Sequence, residues 1–402
     1  MQQRSTRTRS VGGRRLDEYL IQALSGMVAN WDFSDMKTMF QDSTGTMPVT
    51  AVGQPVGLVL DKSKWLIRGP ESVVNGRFDT GDLTGWTKPD TAPSVTEFFD
   101  GGVRMTAAPG SFLARLRQPI TLAEGTYEFT VEVKNVTGTP GAALVLGNTS
   151  SGDTAYGNTS LYTEGTYRLV ITITGPTLGI ALTAVNPNGG SLVLDNFSVR
   201  SIPGVHLIQP TTVNRPIYAL DANGKPSLSF NGTNQWMQTA SNLDLSGTDK
   251  VTVVAGVMLP SDAASGWVMN HNSNLAGSFR LRLPSDNGFA NHDFSARGTT
   301  WPSESNAAAS RALAPARFVI SGIADLSGAG VSLRNNKQLV ASMASVVQTG
   351  NFVSAPLFIG CRSTQSLFFN GNLYSLAIRA ALSTQPEIDL LERFANSKTK
   401  AY

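Results

Sequence analysis

Polar and apolar positions along this 402-residue chain follow two periodicities. In "TYEFTVEVKNV" (126–136), Tyr127, Phe129, Val131 and Val133 face one way and Glu128, Thr130 and Glu132 the other. "TYRLVITIT" (166–174) repeats this with Tyr167, Leu169, Ile171 and Ile173. Period two is the signature of a strand with one buried face. "EGTY" opens both stretches, at 124 and 164, which makes them hairpin partners or equivalent strands rather than a repeat. "SLVLDNFSV" (191–199) closes this series. A second series comes after it, including "PSLSFNG", "DKVTVVAGVML", "GSFRLRL", "ARFVISGIAD", "GVSLRNNKQLV", "APLFIG" and "GNLYSLAIR". Turn pairs at Asn223-Gly224, Asn231-Gly232, Asn287-Gly288 and Asn335-Asn336 separate its members. Many short strands at steady spacing predict sandwiches or jelly rolls.

Helical spacing occurs at the two ends. Over 16–29, Leu16, Tyr19, Leu20, Ala23, Leu24 and Met27 form one stripe, with Asp17 and Glu18 in the first turn. One short helix cannot bury such a stripe alone, so it needs another domain or a second copy. Near the other end, Thr384-x-x-Glu387 has the form of a capping box, with Pro386 in the first turn. Ile388, Leu391, Phe394 and Ala395 then recur at helical spacing, and Lys398 and Lys400 suit the C-terminal end. The same stretch spells E-I-D-L-L-E (387–392), which resembles a signature of retaining β-glucanases. That chemistry needs two carboxyl groups about 5 Å apart. A strand would put Glu387 and Asp389 on one face, whereas a helix sets them about 200° apart. The helical reading is preferred, and with it a non-enzymatic protein.

The predicted fold is mainly β, with two β-sandwich or jelly-roll domains in tandem. The expected segments are a basic arm and anchoring helix (1–30), an extended connector with short strands (31–70), a first jelly roll (71–204), and a second sandwich with its terminal helix (205–402).

Composition changes this picture in three ways. Hydrophobic residues make up 41%, ample for packed cores, and Gly 39 fits turn-rich β structure. Cys361 is alone, so no internal disulfide exists, and it reads as a small buried hydrophobe. With three histidines besides, no zinc site is suggested. The net charge of +3 misleads, because Arg4, Arg7, Arg9, Arg14 and Arg15 precede the first acid, Asp17. Without those five, 27 of the 32 basic residues face 29 acidic ones, a net of −2. The arm thus suits an acidic protein partner. No aromatics interleave its arginines, which argues against nucleic acid. No apolar core comes after the charged N-terminus and no run is long enough to span a membrane. The chain is therefore expected to stay in the cytoplasm or to leave by lysis.

The opening "VVNGRFDTGDLTGW" and closing "LVLDNFSV" of the first domain resemble carbohydrate-binding modules of the galactose-binding jelly-roll type. Leu228 to Trp236, and the ending "LYSLAIRAALSTQPEIDLLERF", resemble concanavalin A-like, laminin-G-type domains. "MFQDSTGTMPVTAVGQPVGLVLDKS" (39–63) resembles a segment of tailed-bacteriophage structural proteins that carry both modules. The resemblance spans about 31–395 and implies a virion component: a decoration, neck, tail or fibre-associated protein. It would be assembled in the host cytoplasm with other virion proteins, and self-associate through Leu16, Tyr19, Leu20, Leu24 and Met27. The alternative is an adhesin for host surface glycan; a glycosidase built on Glu387 is third.

Sugar sites pair aromatic faces with amides and carboxylates. The candidates are Trp267 and His271 in "GWVMNHNSN", and His292, Phe294 and Trp301 in "FANHDFSARGTTW", both read as polar loops. Trp86 and Trp236 sit in domain-opening motifs and are read as core. No cofactor is required. The first domain's resemblance allows Ca²⁺ at Asp195, with Asp79 as partner.

Overall fold

A computed structural model of the chain describes residues 16–402 apart from 65–66, 111–112, 139–140, 148–156, 162, 174–178, 186–188, 273–275, 301–303, 344–349 and 364. The five arginines of the expected basic arm lie outside the described residues. The protein is mainly β, with antiparallel sheets and a C-terminal helix, as predicted. It divides into two units. The larger takes 1–43, 47–66 and 204–402; the smaller takes 44–46 and 67–203. The smaller unit is thus inserted into the sequence of the larger.

This corrects the reading of 31–70 as a connector. Among the described residues, the larger unit has an eight-stranded and a nine-stranded sheet. Met27–Asp32 pairs antiparallel with Asn370–Arg379, with Trp31 opposite Leu376. Met39–Phe40 pairs with Leu58–Val59, which pairs with Leu207–Ile208 in the other sheet. Trp31, Phe33, Met39, Val49, Val56 and Val59 are all buried in the core shared with Val253, Phe294 and Leu376. The frequent Gly and Pro of this stretch mark turns between very short strands. Its apolar residues each fill one place between the sheets.

The first helix is shorter than its sequence stripe. Residues 16–22 are helical, and Met27 already begins the strand. Gly26 turns the chain at φ +76°, a conformation open to glycine. Ile21, Leu24 and Met27 pack against Val254, Val319 and Phe394. Leu16, Tyr19 and Leu20 are exposed, so of the predicted stripe only Leu24 and Met27 reach the core, where Ile21 joins them.

The terminal helix, Gln385–Thr399, has the expected capping box, and the Thr384 N–H donates to Glu387 Oε2 at 2.7 Å. Ile388, Leu391, Phe394 and Ala395 are buried, as their spacing predicts. Each carboxylate of the E-I-D-L-L-E stretch is held separately. Glu387 pairs with Arg379 at 2.6 Å, Asp389 accepts from Gln385 at 2.7 Å, and fully buried Glu392 pairs with Arg334 at 2.8 Å. The helix cannot present them across a glycosidic bond, so this set of residues makes no glycosidase centre.

In the smaller unit a five-stranded sheet carries the alternation read from sequence. Gly125–Gly138 pairs with Gly165–Ile173, Phe129 opposite Leu169 and Val131 opposite Tyr167. They are neighbours but not a hairpin, because strands of the four-stranded sheet intervene in sequence. Trp86 lies between Phe78 and Phe197, at 5.9 and 5.5 Å, and is core as expected. Trp236 is likewise buried, against Phe358 at 6.0 Å. Burial pushes the Cys361 thiol up to about 12, in keeping with an inert small hydrophobe.

Replacing fully buried Trp31 tests the N-terminal strand's place in the core. Trp31→Ala is expected to cost about 3–5 kcal/mol, seen as a lower urea midpoint for the larger unit. A loss below about 1 kcal/mol would mean that the strand is peripheral.

Candidate functional site

The residues expected to bind sugar do not form loops. Trp267 and His271 are on the strand Trp267–His271, and His292 and Phe294 on Asn291–Arg297. All four are buried. Phe294 fills the core, His271 stacks on Phe279 at 4.9 Å, and Trp267 lies beneath the guanidinium groups of Arg280 and Arg362. None offers a ring face to solvent, so these positions are corrected to interior ones. Trp301 lies outside the described residues. The polar residues around them misled the reading: in a sandwich, the outward side of a strand is polar as well.

The two candidate metal ligands are in different settings. Asp195 pairs with Lys134 at 2.8 Å. Asp79 lines a cleft of about 890 Å³ in the smaller unit, with Asn75, Arg77, Thr80, Asn196 and Ser198. Asp195 is not part of that lining. No group of three His, Cys, Asp or Glu side chains that could hold a metal occurs among the described residues. The cleft's other carboxylate, Glu71, accepts from Ser198 Oγ at 2.6 Å and the Val199 N–H at 2.7 Å, holding the last strand.

The geometry favours one end of the larger unit, where three loops meet. They come after the strands Lys250–Leu259, Ser278–Arg282 and Ser305–Ser310. Asp262 is their shared anchor. Its carboxylate forms an ion pair with Arg311 and accepts from the Ala314 N–H at 2.8 Å, and its carbonyl accepts from the Gly288 N–H at 2.8 Å. The Arg311 side chain is itself fully buried, 5.3 Å above the Phe318 ring. Its Nε donates to the Asn291 carbonyl at 3.1 Å, and its N–H to the Ala290 carbonyl at 2.9 Å. Asn287 Oδ1 accepts from the Ser265 N–H at 2.6 Å, and Asn291 Nδ2 donates to Asp286 at 2.8 Å.

This network holds up two apolar side chains, Phe289 at 65% and Leu313 at 74% exposure. Hydrogen bonds fix the backbone on both sides of Phe289, so its exposure does not come from a loose chain. The same loop carries Asp286 and Asn287, and the Phe289 N–H donates to the Asp286 carbonyl at 3.4 Å. An exposed ring can stack on the C–H face of a hexose while amide and carboxylate oxygens accept from its hydroxyls. The sequence carried a signal for Phe289. It comes directly after the Asn287-Gly288 turn, and counting back from core-facing Phe294 places it before the strand begins.

No family model matches the chain, and no curated protein matches it. Slight likenesses to solved structures exist. The CBM40 of Ruminococcus gnavus IT-sialidase, bound to α2,6-sialyllactose, is 14% identical over 42% of this chain and 95% of that one, with a TM-score of 0.31. A heptameric SAP-like pentraxin of Limulus polyphemus is 12% identical over 42% and 80%, with a TM-score of 0.32. The binding domain of botulinum neurotoxin DC, in complex with SialylT, is 12% identical over 44% of each chain, with a TM-score of 0.35. Likenesses this slight carry no argument about function.

Two of the three buried histidines, His271 and His292, give the larger unit a pH dependence. Burial pulls His271 down to about 4, and burial together with the charge of Arg311 does the same to His292. The unfolded chain therefore takes up protons first as pH falls through about 6.5. Stability is full above that value and is lost towards pH 4. The expected loss is about 2 kcal/mol per histidine by about pH 5, measured by urea unfolding. His292→Leu should remove about half of the slope, since neither ring nitrogen has a side-chain hydrogen-bond partner among the described residues. Equal stability at neutral pH and pH 5 would contradict this.

Proposed function

We propose that this chain is a carbohydrate-binding protein that works by adhesion, with the Asp262–Phe289–Arg311 loop end as its contact surface. The observation behind this reading is Phe289, exposed on a loop whose backbone is tied to two neighbouring loops. Ordering a flexible loop on binding would cost affinity, and here that cost falls on folding instead. The polar groups around the ring suit hydroxyls. The carboxylates there are held by other groups, Asp262 by Arg311 and Asp286 by Asn291, and the proposal includes no bond cleavage.

The setting proposed for this activity is a tailed-phage particle, with host surface glycan as the partner. The stretch 39–63 supports it through its resemblance to phage structural proteins. The exposed Leu16, Tyr19 and Leu20 supply an apolar face for a second copy or another virion protein. Counting this chain against the major capsid protein in purified particles tests the setting: a fixed copy number supports it, and absence from particles overturns it.

A glycan array with the full chain tests the activity. Saturable binding to a defined glycan is expected, weakened about 10- to 100-fold by Phe289→Ala with no change in melting temperature. Undiminished binding by that variant would show that the loop end is not the contact. No glycan bound at all would overturn the functional reading itself.

A further inference from the structure

A second feature of the larger unit lies on the outer face of its nine-stranded sheet. Phe279 and Leu281 on one strand, and Phe294 and Ala296 on the next, point into the core. The alternating residues Arg280, Arg282, Asp293 and Ser295 therefore point out. Arg282 and Asp293 are opposite each other and paired, as Arg280 is with Glu304. Arg280 lies opposite Ser295 in the register, and its guanidinium is 4.9 Å from the Trp267 ring centre. Residues on either side of Arg362 are tied to the adjoining strand: the Trp267 backbone N–H donates to the Leu367 carbonyl at 3.0 Å, and the Gly360 N–H to the Val268 carbonyl at 3.0 Å. Arg362 lies 5.4 Å from the same ring.

This patch has donors left over. Trp267 Nε1, Arg280 Nε and Ser295 Oγ are buried without any hydrogen-bond partner among the described residues. Trp267 is 3% exposed and Ser295 is fully buried. Arg362 makes no ion pair among the described residues, and it is partly exposed. Each buried unpaired polar group is costly, and three in one patch call for a common partner. Two of the three carry only N–H groups and the third is a hydroxyl that can donate, so the missing partner is an acceptor. The charges agree: Arg280, Arg282 and Arg362 face Asp293 and Glu304, leaving one cation uncompensated. Burial, together with Arg282 and Arg362 and against Glu304, holds the Arg280 guanidinium below its ordinary value, which an added anion would reverse.

We propose that Trp267, Arg280, Ser295 and Arg362 form a site for a small tetrahedral oxyanion, a sulfate or phosphate group, entered from the Arg362 side. The anion would accept from the three buried donors and from the Arg362 fork at once. It would also tie Arg362 to the sheet. This site is separate from the Phe289 loop end and does not depend on the glycan reading.

The test uses the full chain with inorganic phosphate and sulfate, against sodium chloride at matched ionic strength. Titration calorimetry should show saturable binding of either oxyanion, with a melting temperature that rises along the same curve. Arg362→Gln should weaken that binding about 10- to 100-fold while its melting temperature in chloride stays that of the parent. Ser295→Ala gives an independent arm. In chloride it should be neutral or stabilising, because it removes an unpaired buried hydroxyl; in phosphate it should lose part of the stabilisation. No heat and no melting shift beyond chloride would overturn the proposal. So would an anion effect that both variants keep in full.

Discussion

The larger unit depends on one buried carboxylate, Asp61. It accepts from the Asn30 N–H at 2.8 Å, the Ser63 N–H at 2.8 Å, the Ser63 hydroxyl at 2.7 Å and the Val205 N–H at 2.9 Å. Its own N–H donates to His206 Nδ1 at 2.9 Å. These partners come from the N-terminal strand, from the chain just before the inserted unit, and from the chain just after it. Burying a carboxylate costs several kcal/mol unless donors surround it. Burial pushes Asp61 up, and the donors from Ser63, Val205 and Asn30 oppose it. Gly204 completes the fit. It sits at φ +146°, and a Cβ there would lie 2.8 Å from Asp61 Oδ2. The chain leaves and re-enters the larger unit through a junction with no room for a side chain at Gly204.

The core is built out from this junction. With Asn30 fixed, Trp31 places its ring between the sheets and donates from Nε1 to the Val205 carbonyl at 3.1 Å. Asp32 pairs with Lys398 on the terminal helix at 2.6 Å, and Lys62 with Asp35 at 3.2 Å. Burial pulls Lys62 down, but Asp32, Glu18 and Asp35 outweigh it and hold the ammonium above its ordinary value. The strand Met27–Asp32 and the terminal helix are thereby locked to one another within this unit. A closed sandwich in turn gives the three loops around Asp262 rigid roots, so Phe289 can be displayed without ordering on contact. The chemistry of the surface loops rests on a core closed by residues far away in sequence.

The sequence made the regular parts of this fold legible. Alternation gave Gly125–Gly138 and Gly165–Ile173, because one face of each is buried and most of the other, Val170 and Thr126 apart, is wetter. The capping box and stripe gave the terminal helix, and with it the dismissal of the E-I-D-L-L-E signature as a catalytic set. Met27–Asp32 was hidden for the opposite reason. Five of its six residues are buried, on both faces, so no alternation shows. Met27 also fits the helical stripe of the preceding residues. Its pairing partner lies near the other end of the chain, and no local signal reports such a contact. The site was misplaced through the same ambiguity. Polar and aromatic residues such as His271, Asn270 and His292 look like loop chemistry in sequence, yet two sheets can bury them. Only turn grammar, Asn287-Gly288 before Phe289, pointed to an exposed ring.

Amide hydrogen exchange on the full chain, read residue by residue, tests the Asp61 junction most directly. If Asp61 closes the larger unit into one cooperative body, the amides of Asn30, Ser63 and Val205 exchange only through global unfolding. Their protection then equals that of Val253 and Leu376 in the central strands. If those three amides exchange through local opening, orders of magnitude faster than the central strands, the junction is not what holds the sandwich together.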